Sequence, residues 1–228
     1  MTNAKIVRLV TLWTLIVLLV AAIPVQAFAA EREEDFEMPL YNQYDYPDVP
    51  YGKQSKDFLE GKEGADIKSV AERGCGITSL AMVAAYLYQD ESMTPDYLAI
   101  VYGNPDKPVQ GVNYGSLADI MVSVGTECLE LNMDLTFTFS EVVEALKEGK
   151  VVISLQNEGL FTAVPNGHFV VFRGITENGD ILVNDPNGKT YGRYPSWFAN
   201  GFPQSELRGT GSGYWIVTVK EETDSNIS

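Results

Sequence analysis

The sequence holds one histidine, His168, and two cysteines, Cys75 and Cys128, among 228 residues. A lone imidazole leaves no histidine pair for a metal, and no loop carries carboxylates at ligand spacing, so neither a metal nor another cofactor is expected. Basic residues are scarce: 16 stand against 31 acidic ones, for a formal charge of −15. Such a field disfavours nucleic acid and anionic membrane surfaces as partners. It also aids solubility outside a cell without naming a substrate. No internal repeat is present, and the length suits a single domain once the N-terminus is set aside.

The N-terminus reads as a processing signal. Lys5 and Arg8 precede an uncharged apolar run from Leu9 to Ile23, Pro24 breaks it, and Ala27-Phe28-Ala29 offers a small-x-small cleavage site. The run is shorter than the roughly 20 residues of a spanning helix, and no cysteine follows it for lipid attachment. The expected division is a signal peptide over 1–29 cleaved near Ala27 to Ala30, a flexible leader over 30–39, one domain over 40–220 and a polar tail over 221–228. Losing 1–29 removes Lys5 and Arg8 and no acid, so the charge becomes −17. The mature protein is expected to be secreted, without a stable membrane anchor. Its oligomeric state is not readable.

Elements follow from periodicity and punctuation. Tyr41 to Gly52, rich in Tyr and Pro, reads as extended chain with turns, and Lys53 to Gly64 as a surface loop. Ile77, Leu80, Ala81, Ala84 and Leu87 fall at helical spacing directly after Gly74-Cys75-Gly76. Thr94-Pro95 predicts a cap and first turn for a helix ending near Gly103. A helix over Ser116–Val124 is expected to stop at Gly125, and Glu127 to Leu131 alternates like a strand. Ser140 is the expected cap of a helix over Glu141–Glu148 with Gly149 as its stop. Val151–Leu155, Gly167–Arg173, Ile181–Asp185 and Tyr214–Val219 read as strands, the middle two joined by an Asn178-Gly179 hairpin turn. Helices come first and strands second, which predicts an α+β fold, not alternating α/β.

Chemistry centres on Cys75. At a helix start, unpaired backbone N–H groups and the macrodipole favour a thiolate, and flanking glycines could let a substrate backbone approach. The plain alternatives are a buried packing thiol or a disulfide to Cys128. If Cys75 is a nucleophile served by an imidazole, His168 is the base by elimination, although strand-end histidines are often only hydrogen-bonded. Asp185 is the candidate to orient it. A tight turn would set Asp185 opposite Phe172 and a wider loop opposite His168; both registers put it on the histidine's face. Asn184 to Gly188 is equally plain turn chemistry. The Cys75 backbone N–H could half supply an oxyanion hole, with Gln43 as a weak candidate for the second donor.

Tyr41-Asn42-Gln43, Gly74-Cys75-Gly76-Ile77-Thr78-Ser79-Leu80-Ala81-Met82, Gly167-His168-Phe169-Val170-Val171 and Val183-Asn184-Asp185-Pro186, in that order, resemble the motifs of papain-like cysteine peptidases related to bacteriocin-processing, double-glycine-leader peptidases. The resemblance spans about Leu40 to Tyr214. It implies a papain-like fold with the nucleophile helix packed on a C-terminal antiparallel sheet. It further implies Cys75 as nucleophile, His168 as general base and acid, Asp185 as orienter and Gln43 as oxyanion donor. Ile77 stands where the family often has proline, and no transporter segments accompany the domain. The expected activity is that of a secreted cysteine peptidase or amidase acting on a peptide or protein, cell-wall peptides among the options. The alternatives are an acyl transferase on the same site and a non-catalytic binding module that keeps the fold.

Overall fold

The computed structural model describes residues 36–163 and 167–221. The expected signal peptide, most of the leader and all of the tail after Glu221 lie outside the described residues. Where the leader is described it rests on the domain: Met38 packs against the core, and the Pro39 carbonyl accepts a hydrogen bond from Asn184 Nδ2 at 3.4 Å. Among the described residues no helix is long and apolar enough to cross a membrane.

Helix α1 (Lys56–Leu59) occupies part of the expected loop, capped by the Ser55 hydroxyl. Helices α2 (Val70–Arg73) and α3 (Cys75–Tyr88) follow, separated by Gly74 alone. Helix α3 is buried from Gly76 through Ala85, including Thr78 and Ser79. It is therefore a central helix covered on every side, with no wet face. Helix α4 (Pro95–Tyr102) has Thr94 as its cap and Gly103 at its end, as the sequence predicts.

Helix α5 (Leu117–Ser123), capped by Ser116, does not stop at Gly125. It continues as a π-helical turn over Val124–Cys128, closed by the Leu129 N–H on the Val124 carbonyl at 3.0 Å. Cys128 thus ends a helix instead of sitting in a strand. Its neighbours alternate because the turn buries Leu129 just before β1 (Leu131–Thr136) buries Leu131. Helix α6 (Phe139–Lys147) starts earlier than Ser140, with Thr138 at the cap position. The Thr136 hydroxyl holds the Thr138 N–H at 3.0 Å, and Phe139 is drawn into the core.

The remaining elements are β2 (Val151–Gln156), β3 (His168–Ile175), β4 (Ile181–Asn184), α7 (Pro195–Asn200), α8 (Gln204–Leu207) and β5 (Gly211–Val219). The five strands form one antiparallel sheet in the order β1-β5-β2-β3-β4, so the last strand enters between the first two. Two-residue alternation splits the side chains between two cores. Val151, Ile153, Phe169, Val171, Trp215 and Val217 face α3 with Ile77, Leu80 and Ala81. Val152, Val170, Phe172, Val183 and Tyr214 face α6 with Val142 and Leu146. Beta-branched β2 is buried on both faces because it lies at the centre of the sheet.

Neither expected β3–β4 register is the observed one. Glu177–Gly179 makes a three-residue loop: Thr176 and Asp180 close it at 2.8 Å, and Gly179 takes the left-handed φ of 87° that such a loop needs. Ile175 then pairs with Ile181, and a bulge at Arg173 shifts the register so that Phe172 pairs with Val183 and Val171 with Asn184. One further step would set Asp185 level with Val170, two residues from His168 on the same face. At that diagonal spacing long side chains still reach each other.

Candidate active site

The site lies at one end of the sheet, where β3 begins and β4 ends, against the start of α3. Cys75 is the first residue of α3 and is half-buried. Its sulfur is hydrogen-bonded to the His168 ring and receives the backbone N–H groups of Gly76 and Phe169. His168 is 8% exposed and Asp185 fully buried. His168 Nε2 lies 2.6 Å from Asp185 Oδ1, which leaves Nδ1 as the nitrogen that faces the sulfur. The structure thus brings Cys75, His168 and Asp185 into one hydrogen-bonded chain.

Its electrostatics favour an ion pair. Burial opposes ionisation of the Cys75 thiol, but the His168 hydrogen bond and charge, with the two backbone N–H groups, hold it below the usual thiol range. Burial also pulls His168 down; hydrogen bonds to the Asp185 carboxylate and the Cys75 sulfur outweigh it and raise the imidazole to about 10. Both shifts favour the thiolate–imidazolium pair over the neutral thiol and imidazole.

Asp185 does two jobs that sequence reasoning set against each other. Oδ1 accepts the Asn187 N–H at 2.7 Å, closing the turn, while it faces His168. The turn aims the carboxylate. Gln43 opens a 3₁₀ turn over Gln43–Asp45 capped by Asn42. Its N–H donates to the Pro186 carbonyl at 2.9 Å, and its Nε2 donates to the Ala71 carbonyl at 2.9 Å. It is buried between the chain ahead of Cys75 and the turn behind Asp185. A carboxamide nitrogen carries two hydrogens, and the Ala71 bond uses one.

The flanking glycines serve packing, not substrate approach. A Cβ on Gly74 would sit 2.4 Å from both Val70 Cγ1 and the Val70 carbonyl, and one on Gly76 would meet the Phe169 ring at 3.3 Å. Gly74 is what lets α2 turn into α3 with no linker. Gly74→Ala is expected to destabilise the fold by about 1–3 kcal/mol, read as a lower urea midpoint; a wild-type midpoint would show that the α2–α3 junction yields freely.

Both cysteines are free thiols, so the Cys75–Cys128 disulfide is not formed. Among the described residues no three His, Cys, Asp or Glu side chains converge as metal ligands.

The family model described as "Peptidase_C39 like family" matches residues 37–214. The chain belongs to the Peptidase C39-like family. It is similar to a solved structure of a candidate C39-like peptidase from Bacillus anthracis, at 14% identity and a TM-score of 0.41, covering 82% of this chain and 97% of that one. No curated protein matches it. The α+β architecture, with a cysteine-bearing helix packed on an antiparallel sheet that carries the histidine, is papain-like.

Two residues of the C39-like site escaped sequence reasoning. Thr190 Oγ1 donates to Asp185 Oδ2 at 2.5 Å. Tyr191 Oη accepts the Asp185 backbone N–H at 3.0 Å, and its ring stacks on Phe198 at 3.9 Å between centroids. No local pattern marks either one, since a loop returning five or six residues later is set by its own folding. Asn42, named in the sequence only as part of its motif, caps the 3₁₀ turn, and its Oδ1 also accepts the Gly188 N–H at 3.3 Å, fastening the first motif to the last.

Proposed function

We propose that this C39-like protein is an exported cysteine peptidase or amidase working through Cys75, His168 and Asp185. One observation carries the reading: an ionisable thiol at a helix start, bonded to an imidazole whose other nitrogen lies 2.6 Å from a buried carboxylate. The Cys75 thiolate attacks an amide carbonyl carbon. The resulting oxyanion is received by the Cys75 N–H and the remaining hydrogen on Gln43 Nε2. Imidazolium His168 gives its proton to the leaving amine nitrogen as the C–N bond breaks, leaving a thioester and a neutral ring. Water then attacks the thioester, His168 takes its proton, and the acid product leaves as the ion pair is restored. Asp185 keeps the ring oriented and stabilises its charged form throughout.

Export rests on the sequence of residues 1–29. Secretion makes peptides outside the cell, those of the cell wall among them, the substrate class.

The test is the pH dependence of iodoacetamide labelling at Cys75. Labelling is expected to persist well below about 8.5, the value of an ordinary thiol. A profile centred on that value would overturn the ion pair and the mechanism with it.

A further inference from the structure

Asp185 lies beyond the reach of solvent, so every lone pair that its carboxylate presents needs a protein donor. Oδ1 has two, His168 Nε2 at 2.6 Å and the Asn187 N–H at 2.7 Å. Oδ2 accepts from the Thr190 hydroxyl at 2.5 Å. That hydroxyl has a single proton and a second acceptor within range, the Asn187 carbonyl at 2.8 Å. The competition is one-sided, because Asn187 O already accepts the Thr190 backbone N–H at 3.0 Å, and an ionised carboxylate is the stronger acceptor. Thr190 is itself 1% exposed, so water cannot take over its role without rearrangement.

We infer that Thr190 is a positioning residue of the active site: its hydroxyl clamps Asp185 Oδ2, holding the carboxylate turned so that Oδ1 faces His168. This rests on the proposed Cys75–His168–Asp185 mechanism and adds a fourth member to it. Thr190 touches neither the substrate nor the sulfur and acts through Asp185. The ionisable groups around the carboxylate are His168 on β3, Cys75 behind it on α3, and Tyr191 on the same loop, with Arg173 of β3 in electrostatic range of Tyr191. Of these ionisable groups, His168 is the one hydrogen-bonded to the carboxylate through its side chain. Taking away the Thr190 donor leaves an unpaired anionic oxygen in a dry site. The carboxylate is then free to turn away from His168, and the imidazolium loses part of its hydrogen-bond support.

The protein has one histidine, so its ring nitrogens can be followed without assignment by 15N NMR in the purified protein. In the parent protein the His168 ring is expected to stay protonated far above pH 6.5. In Thr190→Val, which keeps the shape and removes the donor, its titration midpoint is expected to fall by about one pH unit. Thr190→Ser restores the donor and should follow the parent. Unchanged titration in Thr190→Val would overturn the clamp while leaving the mechanism standing. A parent midpoint near 6.5 would instead overturn the ion pair on which both rest. Should the valine variant not fold, Thr190→Ala is held to the same expectation. A purely structural Thr190 would lower the unfolding temperature of these variants without moving the histidine.

Discussion

Replacing Cys75 with alanine is expected to abolish turnover while leaving the fold intact. In the proposed mechanism the Cys75 sulfur forms the acyl intermediate, so the loss should be on the order of 10⁴-fold or more. What remains is what the oxyanion donors and binding alone supply. The side chain is half-buried at the outer end of α3, and the helix continues through a core that Cys75 joins only at its margin. Its truncation therefore removes little packing. The measurement is incubation of the protein and its Cys75→Ala variant with a peptide library, with products read by mass spectrometry and folding by circular dichroism. Cleavage that survives in a folded Cys75→Ala variant would place the chemistry elsewhere. Adding an amine to the same incubations separates hydrolysis from transfer, since a transferase gives a new amide only when the amine is present.

Replacing His168 with alanine is the second large effect, and it acts on both halves of the reaction. In the proposed mechanism the imidazolium is the proton source for the leaving amine and the main support of the thiolate. A fall in kcat/KM on the order of 10³-fold or more is expected. The labelling midpoint of Cys75 should rise toward about 8.5. The sign follows from the pair. Productive attack needs the thiolate, so activity rises with pH through the Cys75 midpoint, which lies below the usual thiol range. Amine protonation needs the imidazolium, so activity falls as pH passes the His168 value of about 10. Between the two lies a window of activity that opens below the usual thiol range and closes near pH 10, and His168→Ala should erase it. A His168→Ala variant that keeps both the window and the low labelling midpoint would mean that the helix start alone ionises the thiol.

The site residues were legible for different reasons, and not equally. Cys75 is announced by its place, a cysteine between glycines at the start of an apolar helical run, and the helix begins at that residue. His168 needed no signal beyond being the only imidazole in the chain. Asp185 was readable by face but not by register. Strand alternation fixes which side a residue takes, whereas the contact depended on a three-residue loop and on a bulge at Arg173. Gln43 was legible only through likeness to a family, since nothing local distinguishes a buried loop glutamine from a solvated one. Thr190 and Tyr191 were invisible because their partner is reached by chain reversal.

The starting view of Gly74-Cys75-Gly76 changes most. The glycines suggested an opening for substrate; the structure fills both positions, one with Val70 and the other with Phe169. By itself the sequence determined the α+β class, strands β2 to β5 and helices α3 to α6, because apolar periodicity and caps act over a few residues. It also determined that any thiol–imidazole chemistry must use His168. Tertiary structure alone decided that β5 enters between β1 and β2, that Cys128 closes a π turn, and that Asp185 meets His168 through a diagonal reach. Those outcomes depend on loop geometry and on burial shared between distant segments, which no local pattern records.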